Sequence, residues 1–230
     1  MRVLMVGATG RYAHLVVPEL VKRGVAVRAL VRSEQRAEVA RANGATDTVI
    51  GDLSDPRSLA AAVAGLDGVF HIGPAFAPNE AELGVPMVDA ARAAGVRKFV
   101  FSGVIHPSIS AMVNHRAKVP VEEALYTSGM DFTVLQPAAF MERTWDVIVA
   151  HGRLAMPYSA SSKMCWVDYR DVAEVAAVAM TGDELSYGTF ELCAPGLLVI
   201  AQAAAQCPGV RGKGGPRHQA RRRVFFTVRA

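Results

Sequence analysis

The chain has 230 residues, 51% hydrophobic and 20% charged, enough for one well-buried α/β domain with a small appended lobe. Mean hydropathy is +0.22, yet no apolar run approaches the roughly 20 residues that span a bilayer, and the first run, Val3–Val6, stops at Gly7, too soon for a signal peptide. The net charge of +4 is local. Seven of the 25 Lys and Arg residues and none of the 21 Asp and Glu residues lie between Arg211 and Ala230, so the remainder carries −3 and offers no globular nucleic-acid-binding face.

Val3–Val6 reads as a first strand, Arg11–Arg23 as a helix with Leu15, Val16 and Leu20 facing inward, and Val25–Val31 as a second strand. Glu34–Asn43 is helical and closed by Gly44, and Thr46–Ile50 is a third strand. Asp55 can cap a helix through Ala64, with Pro56 in its first turn where a missing N–H is harmless. Gly68–Ile72 and Lys98–Phe101 are strands flanking a helix over Glu80–Ala94. Ile109–Ser128 reads as one long helix interrupted near Pro120, and Asp131–Leu135 as a sixth strand. Phe140–Ala150 and Tyr169–Met180 read as helices, and Gly188–Cys193 as a late strand. Strand and helix alternate with short links, which calls for a Rossmann-type doubly wound parallel sheet with right-handed crossovers. The expected division is a dinucleotide-binding core over 1–135, the rest of the core and a small substrate lobe over 136–194, and a basic, irregular tail over 195–230. Binding of that tail to nucleic acid or an acidic membrane is the less favoured reading.

The densest motif is Gly7-Ala8-Thr9-Gly10-Arg11-Tyr12-Ala13, a GxxGxxA between a strand and a helix. Gly7 lets the chain turn off the strand, Gly10 lets backbone approach a pyrophosphate, and Ala13 lets the helix pack closely on the sheet. The helix N-terminus then offers amides to the phosphates. Where an acidic residue would hold the ribose hydroxyls of NAD, the second strand ends in Arg32-Ser33, a cation and a hydroxyl suited to the 2′-phosphate of NADP, and Arg11 can join them. NADP is therefore expected, with NAD as the alternative. Asp52, followed by Leu53, stands after the third strand and can accept from an adenine amino group or cap the next helix; Gly73-Pro74, after the fourth, lies at the same edge. Ser102 ends the fifth strand and can bond substrate or cofactor, or serve a turn. Cys165, Cys193 and Cys207 form no CxxC or zinc pattern; no metal is expected, and free thiols fit a reducing cytoplasm.

Together GATGRYA, VRALVR and GDLSD resemble NmrA-like proteins, atypical members of the short-chain dehydrogenase/reductase superfamily. Asn114-His115-Arg116-Ala117-Lys118, continuing to Leu125, is similar to that family's NH-x-x-K-x-x-x-E-x-x-L helix. Gly129–Pro137 is similar to its G-x-x-x-T-x-L-x-P strand, Phe140-Met141-Glu142 follows, and Asp168–Ala173 resembles its D-x-x-D-V-A segment. The resemblance, covering about Met1 to Ala194, implies NADP at the strand carboxyl ends, Lys118 near the nicotinamide ribose, and Gln136-Pro137-Ala138 backbone near the nicotinamide. It departs from the superfamily's Tyr-x-x-x-Lys, because Asn114 stands four residues before Lys118. After Ala194 the composition changes, which motivates the expectation of a truncated or frame-shifted end. The expected activity is NADPH-dependent reduction of a small quinone or carbonyl substrate, with Lys118 as the candidate catalytic residue. The alternative is a non-catalytic NADP(H)-sensing regulator that binds a protein partner. His115 is a lesser proton-donor candidate, and His106 and Tyr158 are candidates to border a pocket.

Overall fold

A computed structural model describes residues 1–109, 111–142, 159 and 161–199. Its centre is a seven-stranded, all-parallel sheet built from β1 (Arg2–Val6), β2 (Ala26–Val31), β3 (Asp47–Ile50), β4 (Gly68–Ile72), β5 (Lys98–Ser102), β6 (Asp131–Pro137) and β10 (Gly188–Leu192). The strand order is β10-β6-β5-β4-β1-β2-β3, so the chain reverses its direction of travel between β1 and β4. In such doubly wound sheets, ligands bind beyond the strand carboxyl ends at this switch point. The inner strands are buried on both faces, hence continuous apolar runs such as RVLMV and AVRALV rather than alternation, while the edge strands β3 and β10 are partly exposed.

Helices α1 (Val16–Lys22), α2 (Glu34–Ala42) and α7 (Tyr169–Thr181) cover one face; α3 (Pro56–Val63), α4 (Glu80–Ala93) and α6 (Val119–Tyr126) cover the other. The two cores differ in grain. α7 buries Ala173, Ala176, Ala177 and Ala179 and packs on Val16 and Val17 of α1, whereas the opposite face is filled by Leu59, Met87, Phe99, Phe101 and Leu125. Asp55 caps α3 as expected, accepting from the Arg57 amide; Ser33 and Asp168 also serve as caps, accepting from Arg36 and Arg170.

Two expected helices begin late. The chain forms a turn at Arg11–Tyr12, a 3-10 turn at Ala13–Leu15, and enters α1 only at Val16. Pro18 cannot donate to the His14 carbonyl, so a regular α-helix cannot run through that turn. Val16 and Leu20 are fully buried as expected, but Leu15 is only half-buried, and Val17 takes an inward place instead. Likewise the helix expected over Ile109–Ser128 starts only at Val113, while its expected interruption near Pro120 is present at Ala117–Lys118. A turn at His106–Ile109 precedes α5 (Val113–Arg116), and α6 starts anew at Val119 because Pro120 cannot donate to the Arg116 carbonyl, so one helix cannot run through. Phe140 belongs to a short strand, β7 (Ala139–Phe140), paired with β9 (Trp166–Val167), and not to a helix; β8 (Lys163–Met164) pairs with β11 (Leu198–Val199). Met141 and Glu142 of the expected Phe140–Ala150 helix are helical; its remainder from 143 on, Tyr158, Cys207 and most of the expected tail lie outside the described residues. Among the described residues no helix is long and apolar enough to cross a membrane.

Candidate active site

Most of the sequence-nominated residues lie at the carboxyl edge of the sheet: Gly7–Ala13 after β1, Arg32 and Ser33 after β2, Asp52 and Leu53 after β3, Gly73 and Pro74 after β4, Ser102 ending β5, and Gln136–Ala138 at the end of β6; Lys118 instead stands at the start of α6 and His115 in α5. The glycine loop is built as its spacing demands. Gly7 has φ +87°, and a Cβ there would sit 2.6 Å from Ile72 Cγ2. The Gly10 amide donates to the Gly7 carbonyl at 2.7 Å, closing a tight turn, and a Cβ on Gly10 would lie 3.0 Å from that same oxygen. Ala13 is buried against the sheet. Asn43 braces the loop, its Nδ2 donating to the Ala8 carbonyl at 3.1 Å; the sequence marks Asn43 only as a helix end. Tyr12 packs against Phe140 (centroids 5.2 Å apart) and Tyr169 (5.8 Å), tying the loop to the start of α7.

Arg32 is exposed near Asp52. Hydrogen bonds from the Ser54 hydroxyl and amide hold the Asp52 carboxyl below its ordinary range, with Arg32 adding to the effect. Asp52 thus stays an exposed, ionised acceptor, and Asp55 does the helix capping. Ser33 caps α2.

Behind β4, β5 and β6 lies a buried polar layer. Lys118 forms an ion pair with Glu80, at 5% and 2% exposure. Gln136 turns its side chain inward to both Glu122 oxygens, 3.1 Å each, so only its backbone borders the edge; Pro137 O accepts from Ile105 N and Ala138 N donates to Leu192 O. Burial pushes the Glu122 carboxyl up. His71 is fully buried, stacks on Phe101, and is pushed down to about 3 by burial and by the Lys118 charge, so it is neutral. His115 is buried beside the His106 carbonyl, Nδ1 to O 3.2 Å, and His106 pairs with Glu191, so neither faces Lys118 as an acid. On the other face the hydroxyls of Ser102 and Tyr169 are buried and lie close together without a hydrogen bond of normal geometry. Burial drives the Tyr169 phenol well up, so it stays protonated. Glu142 accepts from the Tyr169 amide at 2.7 Å; burial, aided by Asp168, pushes its carboxyl up to about 7. Among the described residues no group of three or more His, Cys, Asp or Glu is placed to hold a metal.

Glu80 and His71 escape sequence reading, and Glu122 enters it only as the glutamate of the NH-x-x-K-x-x-x-E-x-x-L resemblance. The available signal, acidic residues in helical first turns, points equally to solvated helix ends.

A parallel sheet with this strand order and a glycine turn at its switch point defines a Rossmann-type, doubly wound protein. Within that class the chain belongs to the NmrA-like family, whose pattern it matches over residues 1–221, past the point at Ala194 where the sequence motifs end. Among its relatives, the NAD(P)H azoreductase of Xenophilus azovorans is 32% identical over 215 residues, covering 92% of this chain and 74% of the relative. The NADPH-dependent quinone oxidoreductase of Escherichia coli complexed with NADPH superposes with TM-score 0.78 at 23% identity, covering 89% of this chain and 73% of that one. The Citrobacter triphenylmethane reductase complexed with NADP(H) gives TM-score 0.78 at 23% identity, with 90% and 74% covered.

Proposed function

We propose that the protein is an NADPH-dependent oxidoreductase that reduces a small planar acceptor, of quinone type in the first instance. The observation that carries this reading is the Gly7–Gly10 turn: positive φ at Gly7, and at Gly10 a bare backbone at the switch point that any Cβ would crowd. That cradle fits a pyrophosphate. The exposed Arg32 in place of an acidic residue fits a 2′-phosphate. An azoreductase relative at 32% identity supports a reductase rather than a regulator.

When bound, the reduced nicotinamide supplies hydride. The chain's part is to hold and to polarise. Amides of the Gly7–Ala13 segment and the Arg32 guanidinium would bind phosphates, and Asp52 would accept from the adenine amino group. Lys118 would bind the nicotinamide ribose and place positive charge near developing oxyanion character. Asn114 stands where a phenolic acid would otherwise be, and Tyr169 is too buried to take over that role. A quinone suits such a site, since its reduced form is a weakly basic phenolate that needs no strong protein acid.

The test is NADPH oxidation followed spectroscopically against a panel of quinones, azo dyes and aldehydes. Turnover with quinones or azo dyes, lost in Lys118→Ala, is expected. Tight NADPH binding with no turnover on any acceptor would overturn the reductase and leave the regulator.

A further inference from the structure

Lys118 is the residue on which both cofactor binding and polarisation rest, and an ammonium buried to 5% exposure keeps neither its charge nor its place unaided. We propose that Glu80 is a positioning residue for the cofactor site: its carboxylate fixes the Lys118 ammonium, charged, beneath the Gly73–Pro74 turn. The inference rests on the cofactor half of the function proposed above.

Three features of the packing support it. First, Glu80 occupies the first turn of α4, immediately after the loop that leaves β4, and its Oε1 is the ion-pair partner of Lys118 Nζ. Second, the pair is locked from two sides by glycines. A Cβ on Gly73 would sit 2.7 Å from Glu80 Oε1, so the carboxylate lies directly against the backbone of the cofactor-edge turn. A Cβ on Gly84 would sit 2.5 Å from Val121 Cγ2, so α4 and α6, which carry the two partners near their N-termini, are pressed together without a spacer. Third, Glu80 Oε2 is buried and has no hydrogen-bond partner. With no second donor, the buried Glu80 carboxylate is committed to the Lys118 ammonium.

The other groups facing Lys118 do not replace Glu80. His71, from β4, is neutral and offers no counter-charge. Glu122, from α6, is pushed up by burial and is engaged with Gln136. Phe101, from β5, presents its ring face 6.0 Å from Nζ, a weak addition. Loss of the Glu80 charge therefore leaves a buried lysine whose proton is easily lost at alkaline pH.

The experiment measures the NADPH Kd by calorimetry from about pH 7.5 to about pH 9.5, above the second ionisation of the 2′-phosphate, with thermal melting of each variant as the folding control. Wild type is expected to hold a nearly constant Kd across that range. Glu80→Gln is expected to bind progressively more weakly as pH rises, by about tenfold or more at the alkaline end, as Lys118 discharges. Glu80→Asp is expected to recover most of the loss. A folded Glu80→Gln protein whose Kd stays flat and equal to wild type would reduce Glu80 to a structural ion-pair partner and overturn the proposal. Should Glu80→Gln fail to fold, the double variant Glu80→Gln/Lys118→Met, which buries no charge at the pair, is the substitute. Its Kd is expected to match that of Lys118→Met alone, and a wild-type Kd in either would overturn the proposal. Because every arm reads binding, a wild type that binds NADPH but reduces nothing would sink the reductase and leave Glu80 standing. A wild type that binds no NADPH would sink both before any variant is made.

Discussion

Gly7 and Gly10 look interchangeable in the sequence, but the structure separates what each contributes, and alanine at the two positions is expected to fail differently. At Gly7 the backbone sits at φ +87°, where a side chain costs about 1–2 kcal/mol. The added methyl would also lie 2.6 Å from Ile72 Cγ2, a branch of a β4 side chain with little room to retreat, and such crowding costs about 1–3 kcal/mol. Gly7→Ala should therefore lose about 2–5 kcal/mol, a large part of the stability of an ordinary domain. At Gly10 φ is not in the left-handed region, and the nearest atom is the Gly7 carbonyl oxygen at 3.0 Å. There the gain from a stiffer unfolded chain offsets most of the crowding, and the net change should stay within about 1 kcal/mol. The Gly10 methyl would nevertheless occupy the surface a phosphate must approach, so NADPH affinity should fall at least about tenfold, or 1.4 kcal/mol. Urea unfolding monitored by circular dichroism, paired with NADPH titration of each folded variant, separates the two effects. Wild-type NADPH affinity in Gly10→Ala would refute the reasoning about the cradle, and wild-type stability in Gly7→Ala would refute the reasoning about the turn.

Arg32→Ala should weaken NADPH binding by about tenfold while leaving NADH nearly unchanged, since only the 2′-phosphate distinguishes them; equal losses for both in parallel titrations would count against the assignment. Glu142 titrates near pH 7 in the folded chain against 4.5 for an ordinary glutamate, because burial, with Asp168 beside it, disfavours its charge. A raised carboxyl contributes stability that is complete below pH 4.5 and lost as pH rises through about 7. Glu142→Gln should remove that fall, worth about 1–2 kcal/mol once partial exposure is discounted, and melting curves that keep the wild-type pH dependence would contradict it. The buried Tyr169 hydroxyl has no hydrogen-bond partner, so Tyr169→Phe should leave stability unchanged or raise it by up to about 1 kcal/mol; a clear loss in chemical denaturation would mean that the hydroxyl is in fact bonded.

The sheet was legible because parallel strands buried on both faces write themselves as short apolar runs punctuated by glycine, and β4 emerges with the expected bounds, Gly68–Ile72. The glycine loop was legible because its requirements are local: a turn, a bare backbone and a small residue within seven positions. The Lys118–Glu80 pair was not, since its partners are 38 residues apart and meet only when α4 and α6 pack. Gln136 was read as an edge residue, and the direction of its side chain depends on Glu122 arriving from α6. The late start of α1 carried a visible cause in Pro18, but the competing helical pattern around it is stronger than a single proline.

The unequal grain of the two cores gives the sheet an asymmetric tolerance to mutation. At the alanines that α7 presses onto α1, little can be removed, and substitutions there do harm by adding atoms. Across the sheet, beneath α3, α4 and α6, the space is held by Phe99, Phe101, Met87 and five leucines, and substitutions do harm by emptying it. A survey of random variants should find one side failing by intrusion and the other by hollowing, with the coenzyme edge suspended between them.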